Sequence, residues 1–169
     1  MKTLVERLAS ITSAQWFTTD PALLNILSWD ALSEGRVHPL RSLDINSPAC
    51  AVFPGSVDEV KRIVLLANEL KIPIIPYGGG SGLMGAALSV KPGIVLDLRR
   101  MNQVLEIDIE ARSARVQAGI VLEALEQRLN EQNFILVHDP WTLPVATVGG
   151  AISTNSVGYR AGVYGSMGE

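Results

Sequence analysis

The chain has a single cysteine, no cluster of basic residues and no apolar run long enough to cross a membrane. One cysteine excludes an internal disulfide framework, and the apolar stretch around Cys50 favours a buried thiol over a nucleophile. The net charge of −3 and the scattered Lys and Arg residues argue against nucleic acid as a partner, because phosphate backbones are bound by clustered basic side chains. A membrane-spanning helix needs about 20 mainly apolar residues, so none is predicted.

A secretory leader is not predicted either, because Glu6 and Arg7 interrupt the apolar residues at the start of the chain. We therefore expect a soluble cytoplasmic protein. With 169 residues, of which 47% are hydrophobic, the chain can build one domain or two small subdomains around a real core. No internal repeat or low-complexity linker divides the sequence.

The first part of the chain gives weaker signals than the rest. Leucine or isoleucine at positions 4, 8 and 11 predicts a short amphipathic helix. Asp20-Pro21 has the pattern of an N-cap and first helical position for a second helix, Ala22–Ser28. An irregular segment is predicted for Ser33–Pro48, with His38 in a surface loop.

A β-α-β unit is predicted between residues 49 and 77. Ala49–Phe53 is a short apolar strand, and Ser56 with Glu59 matches a capping box at the start of a helix. The second strand is Ile72–Tyr77, and a crossover of this kind predicts parallel pairing. The apolar face of the helix is formed by residues at helical spacing: Val60, Ile63, Val64, Ala67 and Leu70.

The following segments predict a second layer of different construction. Gly93–Leu98 is a third apolar strand. Val104–Ile109 and Ala114–Ala118 alternate like antiparallel strands around a turn at Glu110–Ser113. A further helix is expected over Val121–Leu129, with its leucines on one face.

Five small residues, Gly78–Gly82, end the second strand of the β-α-β unit. Glycine reaches positive φ and lets a backbone approach a ligand closely, and consecutive N–H groups in such a turn can bind an anion. No Lys or Arg lies between Tyr77 and Leu88, so backbone dipoles would hold that anion. Parallel sheets bind ligands at the carboxyl ends of their strands, which favours a phosphate site here over a mobile surface loop.

Two standard phosphate motifs do not account for this loop. The P-loop motif is excluded because no Lys-Ser/Thr pair follows the glycines. A Rossmann site is disfavoured because Pro92-Gly93 interrupts any helix soon after the loop and the next strand begins too early. The G-x-G-x-x-G pattern itself is nevertheless satisfied, by Gly80-Ser81-Gly82-Leu83-Met84-Gly85.

A second stretch rich in small and hydroxyl residues runs over Val137–Glu169. Thr147 can cap a helix that begins near Val148, and Gly149 and Gly150 would keep its first turn open to a ligand. This composition buries little by itself, so we expect a planar ligand to order it. The alternative is a glycine-rich loop packed on the sheet.

Together these two stretches resemble the FAD-linked oxidases of the vanillyl-alcohol oxidase / p-cresol methylhydroxylase superfamily. The similarity is carried by the motifs Pro76-Tyr-Gly-Gly-Gly-Ser-Gly-Leu and Pro144-Val-Ala-Thr-Val-Gly-Gly-Ala-Ile-Ser-Thr-Asn, followed by Tyr164-Gly. It runs from about Pro48 to Glu169 and looks closest to the glycolate oxidase flavin-subunit and D-lactate dehydrogenase branch. The resemblance implies an α+β fold, a p-cresol-methylhydroxylase-type FAD-binding domain with an α/β half of parallel strands and an incomplete antiparallel half.

The resemblance also divides the chain and assigns its site. Residues 1–47 would be a helical and irregular N-terminal segment, 48–98 the α/β subdomain and 99–169 the second subdomain. By position, the residues that would cradle the pyrophosphate are Gly78, Gly79, Gly80, Ser81, Gly82 and Leu83, and Pro76 just before them is also assigned to cofactor binding. Those that would line the ribityl chain and flavin ring are Pro140, Thr142, Thr147, Gly149, Gly150, Thr154, Asn155, Gly158, Tyr164 and Gly165.

The chemistry implied is hydride transfer from a small-molecule substrate, a 2-hydroxy acid of the D-lactate or glycolate type, to FAD. Some relatives attach FAD through a histidine of the glycine loop; this loop has none, so non-covalent FAD is expected, and no metal. Family members continue beyond the point matching Glu169, so an N-terminal fragment, inactive alone and without an identifiable catalytic base, is expected. The alternatives are another branch, such as a UDP-sugar reductase or ether-lipid synthase, or a non-catalytic flavin-binding module that packs on a partner subunit.

Overall fold

The computed structural model describes residues 2–32, 47–89 and 91–168. Most of the predicted irregular segment, with His38, therefore lies outside the described residues. The chain forms two compact units, Met1–Arg100 and Met101–Glu169, each with its own sheet. No helix in these described stretches has the length and apolar character needed to cross a membrane.

The first unit opens with two helices and the edge strand of its sheet. Helix α1 is Lys2–Thr12, followed by a 3-10 turn at Ala14–Trp16 and the short strand β1, Phe17–Thr18. Helix α2, Pro21–Leu27, begins as predicted: the Asp20 carboxylate accepts a hydrogen bond from the Ala22 N–H at 3.2 Å. This cap satisfies one of the free donors that every helix N-terminus leaves.

The rest of the first unit is the predicted β-α-β unit plus one inserted strand. It contains β2 (Cys50–Val52), helix α3 (Val57–Leu70), β3 (Ile74–Tyr77) and β4 (Ile94–Asp97). The sheet order is β1-β2-β4-β3, with β2 and β3 both parallel to β4 and β1 antiparallel to β2. The two strands of the crossover unit thus run parallel, but they do not pair with each other. All four residues of β4 are buried, and a strand apolar on both faces belongs in the middle of a covered sheet.

Both faces of this sheet are covered by helices. One core cluster contains Leu4 and Leu8 of α1 and Ile63 of α3, packed with alternate residues of β2 and β4. The other contains Leu24 and Leu27 of α2 with the intervening strand residues. The period of two along a strand explains this division, since successive side chains point to opposite faces.

Helix α3 shows how far local signals determine the structure. The Ser56 hydroxyl accepts a hydrogen bond from the Glu59 N–H at 3.1 Å, as the capping box predicts, but the Glu59 carboxylate accepts from Gly55, one residue before the N-cap. The predicted apolar face is correct at Ile63 and wrong at Val64, which is 37% exposed. Leu66 is buried in its place, because the stripe follows the i, i+3, i+4 spacing from Ile63.

The second unit pairs two antiparallel strands, β5 (Val104–Asp108) and β6 (Ser113–Val116), as predicted. Helix α4 (Leu122–Asn130) follows, and then the short helices α5 (Val148–Ser153) and α6 (Ala161–Tyr164). Its buried core is small and aliphatic and consists of Ile120, Leu122, Leu125, Leu129, Ala146, Val148 and Ala151.

Truncating Ile63 tests the corrected face of α3. Ile63 is fully buried between the helix and the sheet, so Ile63→Ala is expected to lower the free energy of unfolding by about 2–5 kcal/mol. The matched control is Val64→Ala on the same helix. It should lower the free energy of unfolding by less, because the Val64 side chain is partly exposed. Urea unfolding of both variants measures the difference; equal losses would contradict this packing.

Candidate functional site

The glycine loop begins where β3 ends, at the carboxyl edge of the parallel sheet. Tyr77 is the last residue of β3, pairs with Asp97 of β4, and accepts a hydrogen bond from the Leu98 N–H at 3.1 Å. No helix opens in residues 78–89, all of which are described, so the geometry does not match a Rossmann turn. Gly78–Gly82 are half-buried, whereas Leu83 and Pro76 are exposed.

The backbone donors of this loop have no partner in the described part of the chain. None of the N–H groups of Gly78–Leu83 donates a hydrogen bond there, although five of these six residues are half-buried. Successive N–H groups that make no hydrogen bond to the chain remain available to a ligand, and a row of them in a turn makes an anion-binding concavity. The structure thus fits a phosphate-bearing group held by main chain.

Gly80 has the conformation that the loop was predicted to need. Its φ is +63°, in the left-handed region that glycine enters without cost. A Cβ at this position would overlap the Tyr77 hydroxyl. Part of the reason for glycine here is therefore the loop's own packing against Tyr77, which sequence alone does not reveal.

A charged pair stands beside the same tyrosine. The Arg99 guanidinium lies over the Tyr77 ring, 5.4 Å from its centroid, and makes a 2.6 Å ion pair with the buried Asp97 carboxylate. Burial raises the pKa of the Tyr77 phenol, the Asp97 and Asp30 carboxylates add to the rise, and Arg99 opposes it. The phenol is therefore neutral at physiological pH. Arg99 could not be predicted from the residues around the glycines, because it follows the neighbouring strand in space and not the loop in sequence.

Asp30 brings a second carboxylate to the loop. Its Oδ1 accepts a hydrogen bond from the Leu32 N–H at 3.0 Å. Its Oδ2 is buried, has no hydrogen-bond partner in the described stretches, and lies 3.4 Å from where a Cβ on Gly82 would stand. The acidic side chains near the loop thus outnumber the one guanidinium described beside it.

In the second unit, the predicted flavin-lining residues gather around α5. Thr147 is buried and caps this helix, as predicted, by accepting a hydrogen bond from the Gly150 N–H at 3.2 Å. A Cβ on Gly149 would meet the Ala118 carbonyl oxygen at 2.9 Å, so this glycine lets the helix approach the end of the β5–β6 hairpin. The Thr154 hydroxyl donates to the Gly150 carbonyl at 2.9 Å and is thereby occupied within the helix.

The remaining predicted residues lie on the chain before and after α5. Gly158 packs on Asp139, where a Cβ would come within 2.7 Å of the Asp139 nitrogen. The Asp139 carboxylate accepts from the Arg160 N–H at 2.9 Å and pairs with its guanidinium at 3.2 Å. The Asn155 side chain accepts a hydrogen bond from the Gly168 N–H at 2.9 Å. Pro140 and Thr142 begin the turn between these segments, and Tyr164 and Gly165 end α6.

His138 is the titratable group at this second site. Its Nε2 lies 2.6 Å from the Ser156 hydroxyl, and its side chain is buried. Burial lowers the pKa of the imidazole, and the nearby Asp139 carboxylate opposes that shift. The ring is therefore neutral near pH 7, and it can accept the Ser156 proton or donate to its oxygen according to the tautomer.

Comparison with known proteins agrees with these features. A family model described as an FAD binding domain matches residues 48–169. An FAD-linked oxidoreductase of Escherichia coli K12 is 34% identical over 97% of this chain, and the glycolate oxidase subunit GlcD of Bacillus subtilis is 30% identical over 97%. A D-lactate dehydrogenase of Anaerostipes hadrus is 39% identical over 83% of the chain.

Solved structures show the same fold. An alkyldihydroxyacetonephosphate synthase superposes on 99% of this chain and 31% of its own with a TM-score of 0.88 at 30% identity. A p-cresol methylhydroxylase covers 94% of this chain and 30% of its own with a TM-score of 0.79 at 23% identity, which supports the fold alone. The predicted α+β fold of the p-cresol-methylhydroxylase type is therefore confirmed.

The match is partial in one respect: the chain spans about one third of the length of the curated relatives, covering 34%, 33% and 30% of the three named above. Within that share, the domain match covers the glycine loop and the whole segment around α5. The resemblance inferred from the two glycine-rich motifs is thus confirmed, together with FAD as the cofactor. The chain belongs to the family of FAD-binding domains found in FAD-linked oxidoreductases.

Proposed function

We propose that this chain is the FAD-binding part of a flavin-dependent oxidoreductase that oxidises a 2-hydroxy acid of the D-lactate or glycolate type. The observation that carries the proposal is the row of free N–H groups at Gly78–Leu83, at the carboxyl end of β3. The names of the relatives support the substrate class, since they include a glycolate oxidase subunit, a D-lactate dehydrogenase and a D-2-hydroxyglutarate dehydrogenase. The substrate is thus a small anion bearing a secondary or primary alcohol.

In this proposal the glycine loop holds the pyrophosphate of FAD. Pro76 is the last but one residue of β3. The main-chain donors are presented by Gly78, Gly79, Gly80, Ser81, Gly82 and Leu83. The positive φ of Gly80 supports the assignment, because a turn through the left-handed region directs successive N–H groups to one side. Attachment is non-covalent, since the loop contains no histidine.

The segment around α5 is proposed to line the ribityl chain and the flavin ring. The residues assigned to it are Pro140, Thr142, Thr147, Gly149, Gly150, Thr154, Asn155, Gly158, Tyr164 and Gly165. Several of their polar groups already serve the fold, notably the hydroxyl of Thr154 and the amide of Asn155. Ligand contacts would then come mainly from backbone groups and from the hydroxyls of Thr142 and Tyr164.

When bound, FAD would supply the acceptor for the hydride removed from the substrate carbon, which carries the two electrons of the oxidation. The work of this chain is to bind and orient the cofactor and to keep its reacting face in a fixed position. We assign no catalytic base. His138 is neutral and hydrogen-bonded to Ser156, so it is the first candidate among the described residues for moving a proton beside the site.

The organisation proposed from the sequence keeps residues 1–47 as an N-terminal segment, 48–98 as the α/β half and 99–169 as the second half. The separation of the structure into Met1–Arg100 and Met101–Glu169 supports a boundary close to residue 99. Substrate binding and any contact with a partner subunit are assigned to polypeptide beyond this chain, because the relatives are about three times as long.

A second candidate is the reaction of an alkyldihydroxyacetonephosphate synthase. It is favoured by the TM-score of 0.88 and by a Dictyostelium discoideum synthase that is 39% identical over 72% of the chain. Both candidates would bind FAD at the site proposed above, and they differ in the substrate that reaches the flavin and in the reaction carried out there.

If the glycine loop holds the pyrophosphate of FAD, adding a single methyl group at Gly80 should weaken FAD binding. Gly80→Ala forces a side chain into positive φ and against the Tyr77 hydroxyl, so the Kd for FAD should rise at least about tenfold. The matched control is Gly162→Ala, where a Cβ meets no atom within 4 Å. Flavin fluorescence titration measures both Kd values, and circular dichroism checks that the variants fold.

Combining Gly80→Ala with Tyr77→Phe separates the steric overlap with the Tyr77 hydroxyl from the effect of the side chain on the loop conformation. Tyr77→Phe removes the hydroxyl that a Cβ on Gly80 would meet, so part of the affinity should return in the double variant. FAD binding by Gly80→Ala as tight as that of the parent would show that the loop is not the phosphate site.

The substrate assignment is tested by turnover with an artificial electron acceptor. The full-length protein that carries this chain should oxidise D-lactate or glycolate, whereas residues 1–169 alone should not, because the chain spans only about one third of its relatives. Alkyldihydroxyacetonephosphate synthase activity without oxidation of either acid would favour the second candidate. Turnover by residues 1–169 alone would place the proton acceptor within them, and His138→Gln would then be the first variant to measure.

A further inference from the structure

The glycine loop is short of positive charge for the ligand proposed for it. A pyrophosphate diester carries two negative charges, and no Lys or Arg occurs from Gly78 to Ser89. The Asp30 carboxylate beside Gly82 opposes an anion further. Backbone dipoles alone would have to offset this repulsion, so a cation supplied from elsewhere in the fold would strengthen binding.

Arg99 is the cation that the topology brings to this place. It follows β4, and β4 pairs with β3 in a register that sets Asp97 opposite Tyr77. The guanidinium stacks over the Tyr77 ring, whose hydroxyl lies against Gly80. The Tyr77 ring therefore lies between the Arg99 guanidinium and the turn of the loop at Gly80.

The guanidinium is held in place by the carboxylate of Asp97. Nε donates to both Asp97 oxygens at 3.1 Å, and Nη2 donates to Oδ2 at 2.6 Å. The Arg99 backbone N–H also donates to Oδ1 at 3.0 Å, which fixes the turn after β4. Nη1 donates to no group in the described part of the chain, and the side chain remains 47% exposed.

We propose that Arg99 is a phosphate-binding residue of the FAD site, which offers its free Nη1 to the pyrophosphate while Asp97 holds the rest of the guanidinium. The inference rests on the proposed function of the glycine loop. A planar, clamped guanidinium loses little conformational freedom on binding and matches the geometry of phosphate oxygens, which suits it to this role better than a mobile lysine.

The test must avoid leaving a buried charge without its partner. Asp97 is buried, so Arg99→Gln alone would strand its carboxylate and destabilise the fold. We therefore compare Asp97→Asn with the double variant Asp97→Asn/Arg99→Gln, which differ only in the guanidinium. Arg99→Lys is a second variant that keeps a cation beside Asp97 but has no second nitrogen, equivalent to Nη1, to offer to a phosphate. Arg62→Gln is the charge-matched control on the exposed face of α3.

The readout is the affinity for three ligands, measured calorimetrically for inorganic pyrophosphate and by fluorescence for FAD and riboflavin. Replacing Arg99 in the Asp97→Asn background should weaken pyrophosphate and FAD binding about tenfold and make both less sensitive to salt. Riboflavin, which has no phosphate, should bind equally to both variants. Arg99→Lys should lower the affinity for pyrophosphate and FAD several-fold, and Arg62→Gln should leave both affinities unchanged.

The outcomes separate this inference from the proposed function. Equal affinities for pyrophosphate and FAD with and without Arg99 would overturn the role of Arg99 and leave the loop assignment intact. A parallel loss of riboflavin binding would show a general structural effect and would also overturn it. If the parent chain binds neither FAD nor pyrophosphate, both the inference and the loop assignment are wrong.

Discussion

Strand β4 is buried along its whole length, and both neighbouring parallel strands are hydrogen-bonded to it. Its alternate side chains enter the two cores of the first unit, so the helices on both faces depend on it. The same strand ends in Asp97, whose carboxylate sets the turn that follows and clamps Arg99. One central strand thus fixes both the stability of the unit and the groups that stand at its carboxyl edge.

The loop after β3 depends on that edge. Tyr77 is held by its pairing with β4, and its buried ring supports Arg99 on one side while its hydroxyl meets the turn at Gly80. The loop itself contributes no side-chain cation and leaves its N–H groups without partners in the described residues. Such a site suits a ligand whose charge is spread over several oxygens, because many weak dipoles can share it.

Local signals in the sequence predict much of this structure. The capping pattern at Ser56, the N-cap at Asp20 and the cap at Thr147 all form, because each depends on a side chain and a donor only two or three residues away. The two glycine-rich motifs, whose order and spacing are unusual, identify the family before any contact is known. The cofactor follows from them.

Contacts between distant segments could not be predicted in the same way. The insertion of β4 between β2 and β3 decides which residues meet Tyr77, and no local pattern encodes that order. Glycines at 149 and 158 are explained by approach to Ala118 and Asp139, which lie far away along the chain. The assignment of Val64 to the buried face failed because apolar residues surround α3 on more than one side, and only the sheet selects among them.

Main-chain N–H groups of Gly78–Leu83 are proposed to bind the pyrophosphate of FAD. Backbone amide resonances of isotope-labelled protein report on these groups one by one. Adding FAD or ADP should shift the resonances of Gly78–Leu83, and riboflavin, which lacks phosphate, should leave them unchanged. If FAD binds and shifts other resonances while those of the loop stay in place, the pyrophosphate is held elsewhere and the glycine loop is not its binding site.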